Sequence, residues 1–318
     1  MNFDVFNGDA DGICALHQLR LAHPMQAQLV TGVKRDIALL ARVKASAGDH
    51  ITVLDVSLAK NRDALITLLK LGARVDYFDH HMPGEIPDFP NLRATIDTSS
   101  EVCTSLLVDK HLQGKFTIWA VVAAFGDNLH QAAQSAAMPL RLNAEQLHTL
   151  RELGECINYN AYGESIDDLY FHPEVLYNLV HRHADPFVFM RDEPAFTLLK
   201  NGYAEDMQRA CAGRAEFSSA CGEVFVLPEE KWSRRVSGVY GNHLATAAPA
   251  RAHAVLTQTR EGGYVVSVRA PLTRKTGADA LCSQFGGGGR QGAAGINHLP
   301  EERLSDFIKQ FNLAFSHS

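Results

Sequence analysis

Ile51-Thr52-Val53-Leu54-Asp55-Val56-Ser57, followed by the helical stretch Leu58–Leu71 and the apolar run Val75–Phe78, is the part of the chain that decides the fold. Ile51–Leu54 reads as a buried strand, Ser57 is placed to cap the helix, and Gly72 is placed to end it. Outward from this unit the pattern repeats. Phe3–Phe6 predicts a strand, Gly12–Leu21 a helix, Leu29–Val33 a second strand and Leu92–Ile96 another. Strands alternating with helices predict an α/β fold: a mainly parallel sheet covered by helices on both faces. In such sheets ligands bind beyond the carboxyl ends of the strands.

Further along, Lys115–Phe125 is almost wholly apolar and ends in Gly126-Asp127, which predicts a buried helix with a polar group at its end. Residues 139–180 read as more helices. Arg191-Asp192-Glu193-Pro194 breaks the pattern, so residues 1–190 are expected to form one domain, 191–212 a connection and 213–318 a smaller α/β domain, with a cleft between the two. In the second domain the reading is a strand at Glu223–Leu227, a helix at Val239–Ala247 and a hairpin of Ala252–Thr259 with Tyr264–Arg269. A helix near Ala278–Phe285, the glycine run Gly286–Gly289 and a closing helix complete it.

Of 318 residues, 46% are hydrophobic and 21% charged, the composition of an ordinary globular protein rather than a disordered one. No apolar run approaches the ~20 residues of a membrane crossing, and the start lacks a basic-then-apolar signal pattern. The six cysteines include no CxxC pair, which argues against a zinc knuckle or disulfide framework and suits free thiols in the cytoplasm. The net charge of −6 divides unevenly, −9 over residues 1–212 and +3 over 213–318. An acidic chain is poorly suited to tracking long nucleic acid. An acidic half joined to a basic half suits metal ions in one and an anionic ligand on the other.

Three segments put acids just past expected strands: Asn7-Gly8-Asp9-Ala10-Asp11-Gly12, Leu54-Asp55-Val56-Ser57 and Phe78-Asp79-His80-His81. Asp127 follows the apolar helix. Singly, each has an ordinary explanation as a turn, a helix cap or a surface residue. Together they converge, because parallel strands end on one rim, and carboxylates crowded there repel without a counter-cation. A mixed aspartate–histidine set suits Mn²⁺ better than zinc or calcium.

Asp79-His80-His81, with Asp9-x-Asp11 and Asp55 upstream and Asp127 downstream, resembles the DHH phosphoesterase superfamily. Gly287-Gly288-Gly289-Arg290-Gln291-Gly292-Ala293-Ala294-Gly295 resembles the GGGHxxAAG signature of the DHH-associated C-terminal domain. The resemblance spans nearly the whole chain, with five elements in order. It implies two Mn²⁺ ions, with Co²⁺ or Mg²⁺ as substitutes. Asp9 and Asn7 would bind the first, Asp11, His80 and Asp127 the second, and Asp55 would bridge them. His81 would lie beside the substrate phosphate, and Asp79 would orient a histidine.

Two departures stand out. Asn7 occupies a position where many relatives have a charged or imidazole ligand, so the first ion is expected to bind loosely. Arg290 replaces the signature histidine, and its fixed fork of donors matches phosphate. Gly287, Gly288 and Gly289 are read as a backbone nest for phosphate, with Arg269, Lys275 and Arg290 as substrate-contacting cations. Few aromatics accompany them to stack a base. The expectation is a phosphohydrolase removing the terminal unit from short phosphate-rich chains, a short-chain exopolyphosphatase ahead of a short-oligonucleotide or dinucleotide phosphodiesterase. A non-catalytic nucleotide or polyphosphate sensor is the rival from another class. Partners are a small anionic substrate, at most short oligonucleotides, with no membrane and with a homodimer compatible.

Overall fold

Alternate residues of the first strands point to opposite faces, and each face is covered. In the computed structural model, which describes residues 1–316, β1 (Asn2–Phe6), β2 (Gln28–Val30), β3 (His50–Leu54), β4 (Arg74–Asp79) and β5 (Leu92–Ile96) form one sheet. Its order is β2-β1-β3-β4-β5, and every neighbouring pair is parallel. Phe3, Val5, Ile51, Val53, Val75 and Tyr77 pack with α2 (Leu58–Lys70) on one face. Phe6, Leu54 and Phe78 face α1 (Ala10–Ala22) and the helices behind it. On that same face Arg20 Nε donates to Asp4 Oδ2 at 2.8 Å and Nη2 to Thr52 Oγ1 at 3.0 Å, so the polar positions of the period-two pattern are paired rather than orphaned.

The remaining helices of this unit are α3 (Thr104–His111), α4 (Thr117–Gly126), α5 (His130–Ala137), α6 (Ala144–Ala161), α7 (Pro173–His181) and α8 (Pro186–Asp192). Helix α4 is the expected apolar helix, and its Trp119–Ala124 are fully buried. A Cβ on Gly126 would lie 2.4 Å from Ala10 Cβ and 2.8 Å from the Gly154 carbonyl oxygen. Only glycine lets α1, α4 and α6 approach this closely, and that approach carries Asp127, the next residue, towards the rim.

The chain divides into two compact units, Met1–Asn201 and Gly202 onward. The division falls inside α9 (Pro194–Ala212), so the expected connection, 191–212, is largely helical. Pro194 opens that helix, at a position where a missing N–H costs nothing.

The second unit holds a six-stranded sheet ordered β10-β11-β9-β8-β7-β6. Its strands are β6 (Ala215–Ser218), β7 (Gly222–Leu227), β8 (Ala252–Gln258), β9 (Tyr264–Arg269), β10 (Gly288–Arg290) and β11 (Ala293–Leu299). Helix α10 (Lys231–Ala247) connects the one parallel pair, β7 and β8, while α11 (Ala278–Ser283) and α12 (Leu304–Ser316) complete the unit. The expected hairpin of β8 and β9 is present. The glycine run is not followed directly by the closing helix: Gly288–Arg290 is an edge strand paired with Ala293–Gly295. Residues 317–318 of the expected second domain lie outside the described residues. Among the described residues no helix is long and apolar enough to cross a membrane.

Candidate metal centre

The carboxyl ends of β1, β3 and β4 do meet on one rim. Asp55, directly after β3, has φ 57°, a left-handed conformation uncommon outside glycine, asparagine and aspartate. Its N–H is fixed to the Phe78 carbonyl at 3.0 Å. The side chain is buried, and ligand atoms of Asp55, His80 and His81 lie within 4.8 Å of one another.

The two histidines are held in different ways. His80 Nδ1–H donates to the Val102 carbonyl at 2.9 Å. That fixes the tautomer and leaves Nε2 as a lone-pair donor facing the carboxylates, 3.4 Å from Asp55 Oδ1 and 4.0 Å from Asp127 Oδ2. His81 Nδ1–H donates to Asp79 Oδ1 at 2.7 Å, and the His80 and His81 backbone N–H groups reach the same oxygen at 2.9 and 3.2 Å. The other Asp79 oxygen accepts from Leu58 N at 3.4 Å. Fully buried Asp79 therefore points into the turn it shapes. Burial works against a charged His81, but the Asp79 hydrogen bond and the Asp55 and Asp79 charges outweigh it and raise its pKa.

The other acids are engaged by the chain itself. Asp9 caps α1, its Oδ1 accepting from Asp11 N at 3.0 Å and Gly12 N at 3.1 Å. Asp11 accepts from Thr104 N and Ser105 N, each at 2.7 Å, and so anchors the start of α3. Asn7 Oδ1 is buried with no hydrogen-bond partner, while its Nδ2 donates to the Lys34 carbonyl at 3.5 Å.

No sequence motif marks Lys34, in the loop after β2. Its Nζ donates to Asp9 Oδ2 at 2.6 Å and Asn158 Oδ1 at 3.3 Å, and lies 3.5 Å from Asp127 Oδ1. One signal was available: Lys34 follows the Leu29–Val33 run, whose carboxyl end lies on the same rim.

Burial, then the charges of Asp9 and Asp11, push Asp55 well above the usual carboxylate range. Burial likewise raises Asp127, against the pull of Lys34. Asp9 moves the other way: burial raises it, but the Lys34 charge and hydrogen bond prevail. Carboxylates crowded this closely repel one another unless a cation stands between them. The His80 imidazole with the Asp55 and Asp127 carboxylates is a mixed nitrogen–oxygen donor set that fits such an ion.

No family model and no curated protein sequence matches the chain. Solved structures do. An exonuclease RecJ bound to manganese aligns over all of this chain and 90% of its own, with TM-score 0.64 and 16% identity. The pGpG-specific phosphodiesterase PggH from Vibrio cholerae covers 100% of this chain and 99% of its own, at TM-score 0.60 and 14% identity. An exopolyphosphatase-related protein from Bacteroides fragilis covers 99% and 91%, at 0.52 and 14%. The chain has the RecJ fold. Within this RecJ fold, the likeness extends over both units, and the Asp79-His80-His81 turn lies at the strand-end rim where the α/β topology places ligands.

In the second unit the expected substrate residues separate. The Arg269 guanidinium makes several contacts within its own unit: Nε donates to Asn242 Oδ1 at 2.7 Å, Nη1 to Ser267 Oγ at 2.9 Å and Nη2 to the Gly238 carbonyl at 3.3 Å. It ties α10 to β9. Lys275 and Arg290 are exposed, and Lys275 Cβ would lie 3.3 Å from a Cβ on Gly292, in the β10–β11 turn. Gly288 and Gly289 belong to the edge strand, and Gly287 precedes it with its own Cα against the Gly295 carbonyl, where a Cβ would come to 2.2 Å.

Proposed function

We propose that the chain is a divalent-metal-dependent phosphohydrolase acting on short, phosphate-rich substrates. The observation that carries this reading is the Asp55–His80–His81 cluster, with His80 Nε2 turned inward by the Val102 carbonyl. Asp55, His80 and Asp127 would hold the ion, Mn²⁺ by the mixed oxygen–nitrogen donors, with Co²⁺ or Mg²⁺ as substitutes. When bound, such an ion supplies Lewis-acid polarisation of a phosphoryl oxygen and acidifies water.

The chain's own residues supply the rest. His81, with Nδ1–H fixed on Asp79, presents Nε2–H to a phosphoryl oxygen and stabilises the charge that develops there. Asp79 keeps that imidazole in one orientation. Lys34 neutralises Asp9 beside the reacting group. In the second unit, Arg290 and Lys275 are exposed cations of the kind that engage phosphate oxygens.

Within this class, a terminal phosphate removed from short polyphosphate is the leading substrate assignment. Arg290 stands on the glycine hairpin, while the aromatic nearest it in sequence, Phe285, contacts Phe307 and has the Arg303 guanidinium over its ring. A dinucleotide phosphodiesterase is the second reading. It is favoured by the Arg269 contacts with α10, which leave that guanidinium fewer donors for phosphate, and by the likeness to PggH. A panel of tripolyphosphate, longer polyphosphates, pyrophosphate and pGpG with added Mn²⁺ decides between them. Faster turnover of tripolyphosphate supports the first assignment, and faster pGpG cleavage replaces it with the second.

A further inference from the structure

We infer that the ammonium of Lys34 is the resident cation of the Asp9–Asp127 side of the rim, so that the chain takes one divalent ion where the resemblance implies two. The inference rests on the proposed metal-binding reading and assigns the charge that completes it.

Lys34 is seated in a built cradle. An ammonium has three N–H donors, and three acceptors surround this one: Asp9 Oδ2 at 2.6 Å, Asn158 Oδ1 at 3.3 Å and Asp127 Oδ1 at 3.5 Å. They come from the starts and ends of three different helices. The Tyr162 ring lies on a fourth side, its centroid 5.7 Å from Nζ, and the Tyr162 hydroxyl accepts from Asn158 Nδ2 at 3.4 Å. Asn158 is itself buried, 6% exposed, so its amide is not a solvent-facing bystander.

The backbone of Lys34 is pinned as well. Its N–H donates to the Ala161 carbonyl at 2.9 Å, and its carbonyl accepts from Asn7 Nδ2 at 3.5 Å. A surface lysine swinging onto the nearest acid would need none of this.

The same residues fit a second divalent ion poorly. Asn7 offers a neutral amide where a charged or imidazole ligand is expected. One Asp9 oxygen caps α1 and the other is taken by Lys34. An ion on Asp9 Oδ2 would stand against the ammonium, two like charges at contact distance. A lysine is a fixed charge that needs no loading, and it leaves the neighbouring Asp55 and His80 donors, which Lys34 does not touch among the contacts described, for the divalent ion.

The test is the Mn²⁺ stoichiometry of the whole chain, measured by calorimetry and by electron paramagnetic resonance. The unmodified protein is expected to bind one Mn²⁺ with an uncoupled six-line spectrum. Lys34→Met, which removes the charge at similar length, is expected to bind two with a spin-coupled signal, and Lys34→Arg to stay at one. Circular dichroism confirms that each variant is folded. Two coupled ions in the unmodified protein, or one ion in both it and Lys34→Met, would overturn the inference while leaving the metal-binding reading intact. No Mn²⁺ bound to the unmodified protein would overturn that reading, and the inference with it.

Discussion

His81 Nδ1 donates to Asp79 Oδ1 at 2.7 Å, and the same oxygen holds the backbone N–H groups of both His80 and His81. One buried carboxylate thus sets the turn and the imidazole together. Asp79→Asn keeps the shape but cannot accept all three donors from one charged oxygen. Loss of such a supporting contact costs about 10–100-fold in activity. That fall is expected in kcat, with KM little changed, and steady-state kinetics on tripolyphosphate would check it. Equal kcat would remove Asp79 from the account.

Asp55 combines a ligand role with a left-handed backbone. Asparagine tolerates that conformation and alanine does not, the difference being about 1–2 kcal/mol. Asp55→Asn is therefore expected to fold with a melting temperature at least equal to the parent, because it removes a buried acid crowded by Asp9 and Asp11, yet to lose Mn²⁺ binding. Asp55→Ala should lose binding and melt lower than Asp55→Asn. Thermal melts with calorimetry on both variants separate the two effects.

Away from the rim, His17 is fully buried with Nδ1 3.1 Å from His181 Nδ1 and no partner for Nε2. Burial, then the neighbouring His181, lowers its pKa to about 3. The unfolded chain takes up this proton near the ordinary histidine value of about 6.5, and the folded chain does not. Stability is thus fully present above that value and is lost as pH falls from about 6.5 towards 3, with a slope of up to ~1.4 kcal/mol per pH unit from this group. Urea melts between pH 7 and pH 5 should show the slope, and His17→Gln should flatten it.

The close crossing of α1, α4 and α6 has its own signature. Gly126→Ala would place a methyl 2.4 Å from Ala10 Cβ, and Gly154→Ala one 2.2 Å from the Val122 carbonyl oxygen. Overpacking of this kind costs about 1–3 kcal/mol. Both variants should melt lower, and Gly126→Ala should also weaken Mn²⁺ binding by displacing Asp127.

The second unit offers a clean contrast. Arg269→Met should lower the melting temperature, because it strips Asn242 and the Gly238 carbonyl of their donor. Arg290→Ala should leave melting unchanged and raise KM for tripolyphosphate. The reverse pattern would exchange the roles given to these two arginines.

The strand-end acids were legible because each follows a short apolar run punctuated by glycine or a cap, and parallel topology gathers such ends on one rim. Strand β5 spans the same Leu92–Ile96 that the sequence pattern predicts. Lys34 was not legible: its partners Asp9, Asp127 and Asn158 lie 25, 93 and 124 positions away in the chain, and no local pattern announces a lone lysine in a loop. Strand β10 escaped because its Gly-Gly-Arg sequence has no apolar alternation to read, and its place is set by pairing with β11. Helix α9 was obscured by Pro194, which reads as a breaker until the helix is seen to begin there.

The central claim is that a divalent ion on Asp55, His80 and their neighbours drives phosphate release. Its most direct test is Mn²⁺-titrated hydrolysis of tripolyphosphate and pGpG by the unmodified protein and by Asp55→Asn. The account predicts turnover that rises with Mn²⁺ and disappears in the variant while the fold persists. Turnover of neither substrate at saturating Mn²⁺, or equal turnover by Asp55→Asn, would contradict it.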